Sequence, residues 1–247
     1  MTTLSQTAGR IMVALDYPGA DDARKLLREL AGIPCYMKVG MQLFYSAGPA
    51  FVRELKQEGY KVFLDVKMHD IPNTVKGGTA SVTKLGVDMF NVHCAGGGSM
   101  MKAALEGVEE ALASDSSLTR PVVIGVTQLT STSREMLNTE IGIAGTVEDS
   151  VLRYAQLAQA SGLDGVVASP LEVTKIKEVC GTDFKTVTPG IRPAGSALAD
   201  QTRVLTPAEA FAQGTDYIVI GRPITGSDHP RSALETIIEG IEAYEHN

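Results

Sequence analysis

Clusters of basic residues are missing from this chain of 247 residues, whose Lys and Arg are scattered and whose formal net charge is −7. That balance argues against nucleic acid or an anionic membrane as the principal partner. An anionic ligand must therefore be held by local positive groups. No apolar run approaches the length that spans a bilayer, and the opening MTTLSQTAGR lacks the apolar centre of a secretory signal. Cysteine is scarce: Cys35, Cys94 and Cys180 are odd in number and form no C-x-x-C pair. They suit a reducing cytoplasm and a role as small packing residues. His69, His93, His229 and His246 offer no paired metal spacing, so no metal is expected, and His93 beside Cys94 reads as a hydrogen-bonded interior histidine. No Pro/Gly/Ser-rich linker divides the chain, which reads as one domain over residues 1–247.

What is present is a regular alternation. Short β-rich runs occur at Ile11–Asp16, Tyr36–Gly40, Val62–Lys67, Met89–His93, Val122–Thr127, Gly165–Ser169, Thr186–Thr188 and Tyr217–Gly221. Between them lie amphipathic stretches such as Asp21–Leu30, Met100–Leu112 and Val147–Ala160, with apolar positions at helical spacing. Eight strand–helix units in a chain of this length predict a (β/α)₈ TIM barrel. A doubly wound sheet would carry a glycine fingerprint after its first strand, but here Asp16-Tyr17-Pro18-Gly19 forms a turn.

The most informative stretch is FLDVKMHDIPNTV, residues 63–75, where Asp65, Lys67 and Asp70 stand in the spacing D-x-K-x-x-D. Val62, Phe63 and Leu64 read as a buried strand bounded by Gly59 and Pro72. Residues two apart on a strand share a face, so Asp65 and Lys67 point the same way. Isolated buried charges are costly, so the pair either lines a site or forms a structural ion pair, and spacing alone leaves both open.

In barrels, chemistry sits at the C-terminal ends of the strands. This chain places polar residues there repeatedly: Asp16, Lys38, Asp65 with Lys67, Asn91 with His93, Gln128 with Thr130, Arg192 and Arg222. Core packing does not account for so regular a placement. The segments Thr188-Pro189-Gly190-Ile191-Arg192-Pro193 and Ile220-Gly221-Arg222-Pro223-Ile224 follow the seventh and eighth strands, the usual phosphate site of this fold. Gly190 and Gly221 permit close backbone approach to an anion, and Arg222 adds a bidentate fork. Ordinary loops carrying surface arginines are the competing reading. The polar stretch from Arg192 to Thr206 suits a mobile lid or a passive surface loop.

Together the segments Asp65-Val66-Lys67-Met68-His69-Asp70-Ile71-Pro72-Asn73-Thr74, Gln128-Leu129-Thr130-Ser131, Pro189-Gly190-Ile191-Arg192 and Ile220-Gly221-Arg222-Pro223, with Lys38 on the preceding strand, resemble the orotidine 5′-phosphate decarboxylase family. The resemblance runs from Asp16 to Arg222 in the family's order. It implies decarboxylation of orotidine 5′-monophosphate to UMP and CO₂, the last step of de novo pyrimidine synthesis, by a cytoplasmic homodimer that needs no cofactor. It further implies that Lys67 protonates C6 within a charge chain of Lys38, Asp65, Lys67 and the partner subunit's Asp70. Asp16 and Lys38 would hold the ribose hydroxyls, and Thr74 would reach across the interface with Asp70. Thr130 would meet the pyrimidine, with Pro189 nearby, Gln201 would bridge lid and phosphate, and Gly221 and Arg222 would hold the phosphate with Arg192 beside them. Mg²⁺-dependent phosphosugar decarboxylases and aldolases are similar in D-x-K-x-x-D but carry an acidic residue where this chain has Lys38. A non-catalytic phosphosugar-binding barrel is the remaining alternative, and it would have no need of Lys67 between two aspartates.

Overall fold

A computed structural model describes residues 3–193 and 205–245. Its strands are β1 (Ile11–Ala14), β2 (Tyr36–Gly40), β3 (Lys61–Met68), β4 (Met89–His93), β5 (Val122–Val126), β6 (Gly165–Val167), β7 (Lys185–Thr188) and β8 (Tyr217–Ile220). Each pairs in parallel with the next, and β8 closes on β1, so the chain forms the expected (β/α)₈ barrel. The main helices around it are α1 (Thr3–Ala8), α2 (Ala20–Glu29), α3 (Met41–Gln57), α4 (Pro72–Thr83), α5 (Gly97–Ser114), α6 (Val147–Ala160), α7 (Val173–Cys180), α8 (Pro207–Ala212), α9 (Arg222–Thr225) and α10 (Pro230–Glu245). A break at Gly48, where φ is +69°, splits α3 just before Pro49, and only glycine adopts that conformation without strain.

Strand alternation sorts the apolar residues into two cores. Met12, Tyr36, Phe63, Met89, Ile124 and Val187 fill the barrel's interior, while Val13, Met37, Leu64, Phe90 and Ile218 face the helices. The interior plug occupies the lower half of the barrel, so the positions two residues further along each strand line a mouth at the C-terminal end. Several strands end earlier than the sequence suggests. Asp16, Thr127, Ser169 and Gly221 lie beyond the last paired residues, because the chain is already turning into the loops that form the mouth. Cys35, Cys94 and Cys180 are buried and unbonded, and burial pushes the Cys35 and Cys94 thiols up to about 12. They are packing residues, as are the fully buried Met100 and Met101.

The opposite end of the barrel carries a repeated fastening. Gly86-Val87-Asp88, Gly162-Leu163-Asp164 and Gly214-Thr215-Asp216 immediately precede β4, β6 and β8. Each glycine has positive φ (+76°, +90° and +92°), the left-handed conformation that ends a helix and releases the chain toward a strand. Each aspartate then accepts, at 2.7 Å, the backbone N–H at the start of the preceding strand: Val62, Val123 and Thr186. A cation backs each one, Lys56 at 2.5 Å, Arg120 at 2.9 Å and Lys177 at 2.7 Å. The first quarter departs from the pattern, with Cys35 before β2. Asp216→Ala is expected to lower stability by about 2–3 kcal/mol, since it leaves a buried N–H and a mostly buried Lys177 short of a partner. Chemical denaturation measures this, and turnover should stay within about twofold of wild type, because Asp216 lies at the end of the barrel away from the mouth.

Candidate active site

The mouth opens into a cavity of about 630 Å³, within the range of small-molecule sites. Ala14, Phe63, Val126, Val167, Val187 and Val219 supply its apolar wall. Above them stand the polar residues anticipated from the strand ends: Asp16, Lys38, Asp65, Lys67, Gln128 and Thr130, with Pro189, Arg192, Gly221 and Arg222 on the rim after β7 and β8.

Four charges of alternating sign run along one side. Lys38 on β2 is 7% exposed and places Nζ 3.1 Å from Asp16 Oδ1 and 3.4 Å from Asp65 Oδ2. Lys67 Nζ lies 2.6 Å from Asp65 Oδ1. Each interior charge thus touches opposite charges, which is the condition under which buried ions are tolerated. Burial by itself pushes the Asp65 carboxyl up. The Lys38 and Lys67 ammonium groups, with hydrogen bonds from Lys67 and Asn91, outweigh it and hold the carboxyl below the ordinary carboxylate range. Asp65 is therefore an anion at neutral pH.

The β3–β4 ladder is irregular where this row is built. Leu64 pairs with Phe90 and Met68 with Val92, so Asp65, Val66 and Lys67 together lie opposite Asn91. Two extra residues in one strand preserve the alternation, which is why Phe63, Asp65 and Lys67 all face inward. Lys67 is the one non-glycine residue with positive φ among the described residues, at +51°. Strain of this kind persists only where surroundings impose it.

On the rim after β7 and β8, Gly190 has φ +80°, and Gly221 precedes the short helix α9. A Cβ on Gly221 would sit 3.5 Å from Ala14, ordinary contact distance, so what the glycine supplies is an open face toward the cavity. Gly40 is tighter: a Cβ there would come within 3.2 Å of both Asp16 Oδ1 and Lys38 Nζ. Its absence lets those two side chains meet. Ile191 and Leu205 pair across the stretch after β7, which brings that segment's two ends together beside Arg192. Gln201 and most of the anticipated lid lie outside the described residues.

Asp70 and Thr74 are not brought into the cavity by their own chain. Both are exposed, Asp70 accepting from the Ile71 N–H at 2.6 Å and Thr74 in the first turn of α4. His93 is half-buried at the end of β4 with its ring 5.5 Å from that of His69. Burial, His69 and Lys67 hold it below the usual histidine value, against an opposing pull from Asp65. Among the described residues no three His, Cys, Asp or Glu side chains group so as to hold a metal ion, and no helix is long and apolar enough to cross a membrane.

From sequence Asn91 stands among the polar strand ends without a partner or task, whereas its amide bridges Asp65 and Lys67, and Gly40 is given no role. The available signal was positional: both occupy inward-facing sites near strand ends, where a buried amide and a missing side chain are unusual.

Three comparisons bear on this geometry. The family model described as "Orotidine 5'-phosphate decarboxylase / HUMPS family" matches residues 9–237. A Bacillus cereus (strain AH820) protein named orotidine 5′-phosphate decarboxylase is 54% identical over 227 residues, which cover 92% of this chain and 94% of that protein. Among solved structures, the orotidine 5′-phosphate decarboxylase of Lactobacillus acidophilus superposes with a TM-score of 0.84 at 42% identity, covering 94% of this chain and 98% of that one. An uncharacterized conserved protein from Geobacillus kaustophilus gives 0.83 at 43% identity, covering 94% and 99%.

Proposed function

Because the chain belongs to the orotidine 5′-phosphate decarboxylase / HUMPS family, we propose that it decarboxylates orotidine 5′-monophosphate to UMP and CO₂, the closing step of UMP biosynthesis. The observation that carries this reading is the alternating row Asp16–Lys38–Asp65–Lys67 along the β1–β3 side of a cavity whose rim after β7 and β8 holds Gly190, Gly221 and Arg222, adjoining the row at Asp16 and facing Lys67 across the mouth. A cation at Lys38 occupies the position where a metal-dependent phosphosugar enzyme would need an anion.

In the proposed chemistry the phosphate lodges against Gly221 and Arg222, and the ribose hydroxyls meet Asp16 and Lys38. Thr130 and Pro189 lie along the pyrimidine. The C6–carboxylate bond breaks, its electron pair stays on C6, and CO₂ leaves. Lys67 stabilises that developing charge as an ammonium and then transfers its proton to C6, giving UMP and a neutral amine that solvent reprotonates. Asp65 holds Lys67 in place and faces the substrate carboxylate, so loss of CO₂ relieves a contact between like charges. The distant phosphate contributes binding energy that is realised at the transition state.

The row ends at Lys67 with a carboxylate on one side. Asp70 and Thr74 stand outside their own cavity at the same end of the barrel as the exposed Met41, Tyr45 and Ile71. In the proposed homodimer a two-fold contact over this region delivers the partner subunit's Asp70 to the second side of Lys67.

The test is the loss of orotidine 5′-monophosphate absorbance with purified protein. Activity is expected at full strength in EDTA. Activity that appears only on adding Mg²⁺ would assign the chain to the metal-dependent phosphosugar chemistry instead.

A further inference from the structure

Asn91 is fully buried on β4, and a buried amide is costly unless both of its ends are satisfied. Its Oδ1 accepts the backbone N–H of Lys67 at 2.8 Å, and its Nδ2 donates to Asp65 Oδ1 at 2.7 Å. The partners fix the orientation. A flipped amide would set NH₂ against N–H and oxygen against carboxylate, both repulsive.

The placement answers a problem created by the ladder. Where Asp65, Val66 and Lys67 bow away from β4, the Lys67 N–H leaves the regular strand pairing. The Asn91 side chain reaches across and takes it. The same amide grips the carboxylate to which Lys67 Nζ is bound, so one residue ties both ends of Lys67, backbone and ammonium, to one anchor. A left-handed lysine costs free energy, and this anchor opposes its relaxation to an ordinary strand conformation, which would swing the ammonium off Asp65.

We propose that Asn91 is a positioning residue of the decarboxylation, which holds Lys67 in its left-handed conformation and aims its ammonium at the reacting carbon through Asp65. This rests on the decarboxylase reading above. Its effect should concentrate in kcat, because the phosphate rim at Gly221 and Arg222 lies across the cavity. It should also appear in the acid limb of the pH profile. Asp65 is faced by Lys38 from β2, by Lys67 from its own strand and by Asn91 and, electrostatically, His93 from β4, with Asp16 beyond Lys38. The Asn91 N–H is among the forces that keep its carboxyl low. A lowered carboxyl pKa keeps the group ionised until the pH falls through that value, and removing a donor raises the point at which it protonates.

Asn91→Asp keeps an acceptor for Lys67 and replaces the donor to Asp65 with a like charge. It is expected to lower kcat by about 10- to 100-fold. UMP affinity, measured by calorimetry, should stay within about threefold, and the acid limb of kcat should move up by about one pH unit or more. Asn91→Ala, which removes both contacts without adding charge, should lower kcat similarly, with a smaller upward shift of the limb, and it replaces the aspartate variant if that one fails to fold. Folded variants with wild-type kcat and acid limb overturn the proposal. So do variants that lose UMP binding in step with kcat, which would make Asn91 a general support of the cavity. Inactivity of the wild-type protein toward orotidine 5′-monophosphate would instead remove the functional reading itself.

Discussion

Lys67→Ala should lower kcat by at least about 10⁴-fold, the combined scale of a positioned general acid and a fixed charge beside a developing carbanion. UMP binding, read by calorimetry, should survive. The geometry separates the two effects: Lys67 contacts Asp65 on β3, whereas the rim proposed to hold the phosphate follows β7 and β8. A group that matters only in the transition state lowers kcat and kcat/KM together. Arg222→Ala supplies the contrast. It should raise KM by roughly 10- to 100-fold, as expected for a lost charge-assisted hydrogen bond, with a smaller change in kcat. Matching kinetic profiles for the two variants would dissolve the division of roles between the row and the rim.

The second large effect concerns Asp70. Lys67→Ala and Asp70→Ala proteins should each be severely impaired. Mixed in equal amounts and allowed to exchange subunits, they should regain about a quarter of native activity. Half of the dimers would be mixed, and each mixed dimer would hold one intact site beside one doubly damaged site. The structural motive is that Asp70 is exposed and absent from its own cavity, three residues beyond Lys67 at the end of the charged row. Subunit exchange is checked independently by native mass spectrometry of differently tagged chains. Exchange without recovered activity would place Asp70 in the service of its own chain and end the shared-site proposal.

Much of this arrangement was legible in the residues because strand geometry is so regular. A period of two puts Asp65 and Lys67 on one face, and polar residues at successive strand ends mark the mouth of the barrel from sequence alone. The alternation survived even an irregular ladder, since an insertion of two residues leaves parity intact. The irregularity itself was not legible. Nothing in Phe63-Leu64-Asp65-Val66-Lys67-Met68 signals that three residues will stand opposite Asn91, or that Lys67 will be left-handed. Those features arise from β4, a neighbour in space. The loop after β5 was equally opaque: it winds through a π-helical turn at Met136–Glu140 with Leu137 buried beneath it, a shape set by packing rather than by any local turn signature. Asp70 and Thr74 pose the opposite case: the sequence singles them out, but their own chain leaves them outside the cavity, and the role proposed for them needs a second molecule.

The Gly-x-Asp fastenings before β4, β6 and β8 have a consequence for how such a molecule tolerates change. They hold the foundation of the barrel with side chains that never approach the mouth, so cohesion and reactivity draw on separate sets of residues. A lineage can rewrite the rim, trading one phosphorylated substrate for another, while inheriting the same footing. Conversely, a variant selected for durability at the footing need not disturb the charged row above it. The architecture lets invention and endurance proceed at opposite ends of the same eight strands.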